Sequence, residues 1–184
     1  MKKDDETPFS YLVKVGHISA NPVEVTISAN ADERAGLAKL WSILDVKALS
    51  ATFEVRRWKR DGVRLKGRVT ADIVQACVVT LDPVESHIDE PVEVIFVPEG
   101  SKLARLPTAT ESGEMLLDPD GPDAPEIFAG DSIDAGEVAA EHVALAIDPY
   151  PRKSDVDFGG HIESTDKDDR KPSPFAVLKD WKKD

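Results

Sequence analysis

The chain has a single cysteine, Cys77, among 184 residues. One thiol cannot close an intramolecular disulfide or supply a multi-thiolate zinc site, so neither device holds this fold. Long hydrophobic runs are missing as well. No stretch nears the roughly 20 apolar residues that span a bilayer, and the opening MKKDDETPFSY carries charge without an apolar core of signal-peptide length. The expected setting is the cytoplasm, with no membrane contact. Basic residues are few, 23 Lys and Arg against 35 Asp and Glu for a net charge of -12. That balance excludes a general nucleic-acid coat, because phosphate neutralisation is what gives nonspecific binding its strength. Catalytic signatures are missing too: there is no nucleophile elbow, phosphate-cradling glycine loop or paired-histidine metal motif. His17, His87, His142 and His161 are scattered through the chain. Asp118, Asp120 and Asp123 invite a calcium loop, but Pro122 takes a ligand position, Asp123 replaces the required glycine, and Ala129 replaces the bidentate glutamate. The expectation is a protein that is not an enzyme, with no cofactor, metal or small-molecule substrate.

What is present is unevenly charged. From Glu99 to Glu141 eleven acidic residues face only Lys102 and Arg105, whereas from Glu54 to Arg68 seven basic residues face only Glu54 and Asp61. A molecule with two signed faces follows, able to meet RNA with one and a basic protein with the other.

Apolar alternation predicts strands at Phe9 to Val15 and at Val23 to Ile27. Asn30 and Glu33 predict a capping box opening a helix of about three turns, with Leu37, Leu40, Trp41 and Leu44 on its core face. A hairpin follows. Side-chain phase predicts a three-residue loop over Arg60-Asp61-Gly62, with Gly62 left-handed, Val55 opposite Gly67 and Phe53 opposite Val69. In that register Trp58 stands opposite Arg64, Arg56 opposite Lys66 and Glu54 opposite Arg68. Arg56, Trp58, Arg64, Lys66 and Arg68 thus make a solvent-facing basic patch around an indole. Two readings stand: an RNA surface on which Trp58 stacks an unpaired base, or a solvated hairpin with Trp58 covered by Arg64 in a cation-π contact. Val74 to Leu81, apolar on both faces, predicts the central strand. Val92, Val94 and Phe96 predict a returning strand in which Pro91 marks a bulge or an edge.

Gly130 to Arg152 is the most tightly specified segment. Asp134 is placed to cap a helix, Glu137 to complete its capping box, and Ile133 to staple onto Val138. Asp148-Pro149-Tyr150-Pro151 ends that helix after Ile147. His142 has the spacing of a half-buried helix histidine. The helix start at Asp134, Gly136 and Glu137, with Glu141 one turn later, an Ala/Leu run and the closing Pro149-x-Pro151, resembles the YceD family of large ribosomal RNA subunit accumulation proteins. Gly67-Arg68-Val69 running into Gln75 to Val84 resembles that family's central strand. Ser173 to Leu178 resembles the ending of its alphaproteobacterial branch. Many relatives carry several cysteines, some spaced like metal ligands; this chain keeps only Cys77, which reads as a small buried hydrophobe.

The fold expected is α+β: an antiparallel, partly barrel-like sheet of about five to seven strands with two main helices. One domain is expected over residues 1–152, with an acidic loop at 98–126 that includes a short strand near Glu114 to Leu117. A flexible tail follows over 153–184, ending in a short helix with Phe175, Leu178 and Trp181 on one side. The resemblance implies a role in synthesis, processing or stability of large-subunit (23S) ribosomal RNA, with ribosomal RNA or a pre-ribosomal particle as partner and no catalytic residues to carry over. A basic ribosomal or assembly protein is the second expected partner, received by the acidic loop and the helix start, with Asp131, Asp134, Gly136, Glu137, Glu141, Pro149, Pro151, Phe175 and Trp181 as its contacts or as residues of the family motif. The alternative is a protein adaptor that uses the acidic region and the terminal helix with no RNA contact.

Overall fold

Alternation of apolar and polar side chains becomes a large one-sided sheet. The computed structural model describes residues 7–16, 18, 21–104 and 124–154. The chain divides into two units, 1–153 and 154–184; every element below belongs to the first. Strands β1 (Leu12–Lys14), β2 (Val23–Ser28), β3 (Asp45–Trp58), β4 (Gly62–Ala76), β5 (Pro83–Pro98), β6 (Glu126–Phe128) and β7 (Ser132–Asp134) accompany helices α1 (Ala31–Leu40) and α2 (Ala135–Ala146), and a 3-10 turn spans Lys102–Ala104. Five strands form one sheet in the order β2-β3-β4-β5-β6, while β1 and β7 pair in a separate ribbon. The class is α+β, as expected, but the sheet is open rather than barrel-like. It is also mixed, because β6 runs parallel to β5. Both the short strand near Glu114 and the terminal helix fall outside the described residues.

One face of the sheet carries Val25, Ile27, Leu49, Ala51, Phe53, Val55, Leu65, Val69, Ala71, Ile73, Val92, Val94 and Phe96, all buried with Leu37, Ile133, Val138 and Val143 in one core. Burial of such side chains contributes roughly 1.5–3 kcal/mol each. A bulge at Lys47 shifts the β3–β4 register and lets Val46 and Leu49 both point inward. Pro91 lies where β5 has no β6 beside it, since β6 pairs only with Phe96 to Pro98. It is an edge proline without a bulge.

The Asn30–Glu33 capping box forms in full, with Asn30 Oδ1 accepting from the Asp32 and Glu33 backbones and Glu33 Oε2 from the Asn30 N–H. The helix it opens has about three turns, as expected, but it stops before Trp41 and Leu44. α1 ends at Leu40 and the chain breaks through Ser42 at φ 55. The core receives Leu37 and Ala38 with part of Trp41 and Ile43, while Leu40 and Leu44 are exposed.

Two further expectations change. The central strand ends at Ala76, and residues 77 to 82 are a turn. Cys77 donates its N–H to the Asp82 carbonyl, Leu81 sits at φ 64, and Val78 gives its N–H to Pro151 O at 2.9 Å. Only half of the second capping box forms. Asp134 Oδ1 accepts from the Gly136 and Glu137 backbones, but the other donors to this carboxylate come from Ser10 and Tyr11 on the entering chain. Ile133 and Val138 are both buried, and α2 leaves helical geometry at Ile147, ψ 125, where the sequence places its stop.

Candidate nucleic-acid interface

The β3–β4 hairpin has a three-residue loop, but the loop is Lys59-Arg60-Asp61, one residue earlier than the side-chain phase predicts. Trp58 pairs with Gly62, Arg56 with Arg64, Glu54 with Lys66, Thr52 with Arg68, Val55 with Leu65 and Phe53 with Gly67. The left-handed residue is Lys59, at φ 51, and not Gly62. Glycine at 62 and 67 answers a different need. A Cβ on Gly62 would lie 2.7 Å from Trp58 Cε3, and one on Gly67 would lie 2.0 Å from Thr52 O and 2.8 Å from the Phe53 ring. Each glycine therefore makes room for a cross-strand aromatic, which selects the observed register. A shift of two residues preserves strand phase, so the predicted faces survive although the predicted pairs do not.

Arg56, Trp58, Arg64, Lys66 and Arg68 accordingly share the outer, solvent-facing side of the sheet. They do not stand alone there. Arg64 and Lys66 both pair with Glu93 on β5, Arg68 pairs with Asp89 at 2.5 Å, and Arg56 with Glu54. Arg64 and, after it, Lys66 hold the Glu93 carboxyl below its usual range. Trp58 is half-buried, and the cation over its ring is Lys59, 4.1 Å from the centroid, in place of the expected Arg64.

Within the hairpin, the cations without a carboxylate lie at its tip. Among the described residues Arg57, Lys59 and Arg60 enter no ion pair. None of the three belongs to the patch that side-chain phase predicts. Arg57 points to the core side of β3, where it lines a cavity of about 280 Å³ with Val15, Val63, Asp61, Phe128 and Asp131. Its Nη2 also donates to the Arg60 carbonyl at 3.2 Å, tying the loop to that cavity. The run Arg56-Arg57-Trp58-Lys59-Arg60 is the signal that could have found this tip.

The residues of the acidic helix part into two groups. Asp134 and Gly136 serve the fold: a Cβ at 136 would lie 2.7 to 2.9 Å from the backbone of residues 9–11, which crosses the helix start. Pro151 is buried and its carbonyl holds Val78, whereas Pro149 is exposed. Asp131, Glu137 and Glu141 are exposed. Partial burial, then Glu141 and Glu137, raise the carboxyl of Glu126 on β6, while His142 opposes that shift. His142 is half-buried, its Nδ1 2.9 Å from Val138 O. Phe175 and Trp181 lie outside the described residues.

At the far end of the sheet Cys77 is fully buried, and hydrogen bonds from the Thr80 hydroxyl and the backbones of Lys153, Thr80 and Val79 lower its thiol to about 6. Gln75 Nε2 donates to Asp148 O at 2.8 Å. The turn after β4 and the proline segment after α2 are thus one structural unit. Among the described residues no group of three or more His, Cys, Asp or Glu is placed to hold a metal ion, and no helix is long and apolar enough to cross a membrane.

A family model described as Large ribosomal RNA subunit accumulation protein YceD matches residues 65–182. That span includes the Gln75 to Val84 turn and all of α2, and it begins after the hairpin tip. No curated protein and no solved structure matches the chain.

Proposed function

The chain belongs to the YceD family of large ribosomal RNA subunit accumulation proteins, and from that premise we propose that it acts as a non-enzymatic ribosome-biogenesis factor that contacts precursor large-subunit RNA through the β3–β4 hairpin. The observation that carries the reading is the segregation of charge within this hairpin. Cations over the outer strands are matched by Glu54, Asp89 and Glu93, while Arg57, Lys59 and Arg60 gather at the tip beside Trp58 with Asp61 as the one adjacent acid. RNA phosphates meet the tip first. Arg56, Arg64, Lys66 and Arg68 flank it as a second tier, whose use requires phosphate to displace a carboxylate already in place. Trp58 lies against Gly62 on its sheet side and carries Lys59 over its ring, so a base stacks on it as Lys59 turns from the ring to a phosphate.

This order of contact predicts a difference between two sets of variants. Lys59→Glu with Arg60→Glu should weaken binding to single-stranded precursor RNA by about tenfold or more near 0.1 M salt, and should flatten the log-log salt dependence by about 0.7 for each phosphate that is no longer neutralised. Arg64→Glu with Lys66→Glu should cost less. Equal weakening from both sets, or none from the tip, would count against the tip as the first point of contact.

A second reading, a protein adaptor, is favoured by the raised carboxyl of Glu126 beside Glu137 and Glu141. A cation from a basic ribosomal protein would relieve that crowding. Phe175 and Trp181 would add an apolar contact. Binding of such a protein that Glu137→Lys with Glu141→Lys abolishes, with no RNA bound by the chain, would establish this reading in place of the first.

A further inference from the structure

The cavity beside the tip joins apolar walls to a charged mouth. Val15 and Val63 are buried and Phe128 is half-buried, which makes the walls, while the exposed Arg57, Asp61 and Asp131 bring a guanidinium and two carboxylates to the opening. Its volume, about 280 Å³, lies just under the ~300 Å³ at which drug-sized pockets begin. It therefore suits one planar ring system better than an extended ligand. Asp131 is held in place from behind, since its carbonyl accepts the Val15 N–H at 2.7 Å.

Carboxylates at the mouth select among the bases. Guanine alone presents two adjacent donors on its Watson–Crick edge, N1–H and the exocyclic amine, so a carboxylate can accept both. Adenine and cytosine set a donor beside an acceptor, and uracil sets one donor between two acceptors; a carboxylate on any of these meets a lone pair. Sequence-specific RNA readers take unpaired bases splayed out of the strand, stack them on aromatic or guanidinium planes and hydrogen-bond their edges. Arg57 supplies such a plane and belongs to the tip as well as to the cavity. We propose that this cavity receives an unpaired guanine base, with Asp131 and Asp61 accepting from its edge, Arg57 against its face, and the tip cations holding the flanking phosphates. The proposal rests on the hairpin tip as the RNA contact and adds the base that the tip delivers.

The test uses the full chain and two fluorescent octanucleotides, all-uridine and the same strand with two interior guanosines, beside free guanosine monophosphate. The guanosine strand should bind about tenfold more tightly, the scale of one bidentate base contact. Asp61→Ala with Asp131→Ala should abolish that preference while binding of the all-uridine strand stays equal or tightens, since two anions are gone. Lys59→Glu with Arg60→Glu should weaken both strands and leave the preference. A wild-type chain without guanine preference, or a preference that survives removal of both aspartates, overturns the base site and leaves the tip reading intact. Failure of both strands to bind overturns both readings. Guanosine monophosphate binding as tightly as the strand would make the site one for a free nucleotide and overturn delivery by the tip. An arginine-rich peptide that binds only when both aspartates are present, with no guanine preference, would assign the cavity to a cationic side chain instead.

Discussion

At the scale of single residues, Asp134 and Gly136 show how a family marker can be structural. The Asp134 carboxylate receives the Gly136, Glu137 and Tyr11 backbones and the Ser10 hydroxyl, so one side chain caps α2 and fastens the entering chain. Asp134→Ala should cost about 1–2 kcal/mol for the cap alone, with the additional release of residues 9–11, read by denaturant unfolding and by hydrogen exchange over β1. Asp134→Asn, which retains the accepting oxygen, should cost less. Gly136→Ala would drive a methyl into the backbone of those same residues. Cys77 gives a pH-dependent prediction. Its folded value of about 6 lies below the unfolded value of 9.0, so the unfolded state binds more protons between these limits and stability must rise with pH there. The contribution is complete above the unfolded value and is lost as pH falls through about 6. Denaturation midpoints at pH 6 and pH 9 should therefore differ more in the wild type than in Cys77→Ala; the same difference in both would contradict a hydrogen-bonded thiolate.

At the scale of elements, the strap from Asp148 to Lys153 joins the end of α2 to the turn after β4. Gln75→Leu removes the donor to Asp148 O, a part-buried hydrogen bond, and its loss costs about 1 kcal/mol. Faster amide exchange at Val78, whose N–H is held by Pro151 O, should accompany that destabilisation; protection unchanged at Val78 would mean that turn and strap are independent. The strap is also the reason that periodicity misplaces the end of β4. The run Cys77 to Leu81 is apolar enough for a strand, but the Cys77 N–H goes to Asp82, the Leu81 N–H turns back to Cys77, and the Val78 N–H goes to Pro151, 73 residues away. Alternation alone reveals β3, β4 and β5, since each buries one face. It does not reveal β6, three residues long and parallel to a strand nearly thirty positions earlier. The hairpin register escapes side-chain phase for a local reason: Gly62 suits a left-handed turn position, whereas its role is to lie beneath Trp58.

At the scale of the whole molecule, a net charge of -12 and RNA contact are compatible only if cations are concentrated. The sequence shows that concentration between Arg56 and Arg68. What it hides is neutralisation by Asp89 and Glu93, which a third strand brings across from more than twenty residues away. The five residues of the outer patch do share a face, and most of their charge is matched there. Arg57, Lys59 and Arg60 become prominent only once the ion pairs are known. The acidic side of the molecule is legible at Glu137 and Glu141, while the crowding of Glu126 against them depends on β6. Ultraviolet crosslinking of the chain to RNA in living cells, with both the RNA and the crosslinked peptide identified, tests contact through the hairpin tip most directly. Precursor large-subunit RNA should be joined to the peptide that contains Trp58, Lys59 and Arg60. Crosslinks confined to other surfaces, or no ribosomal RNA recovered at all, would contradict it.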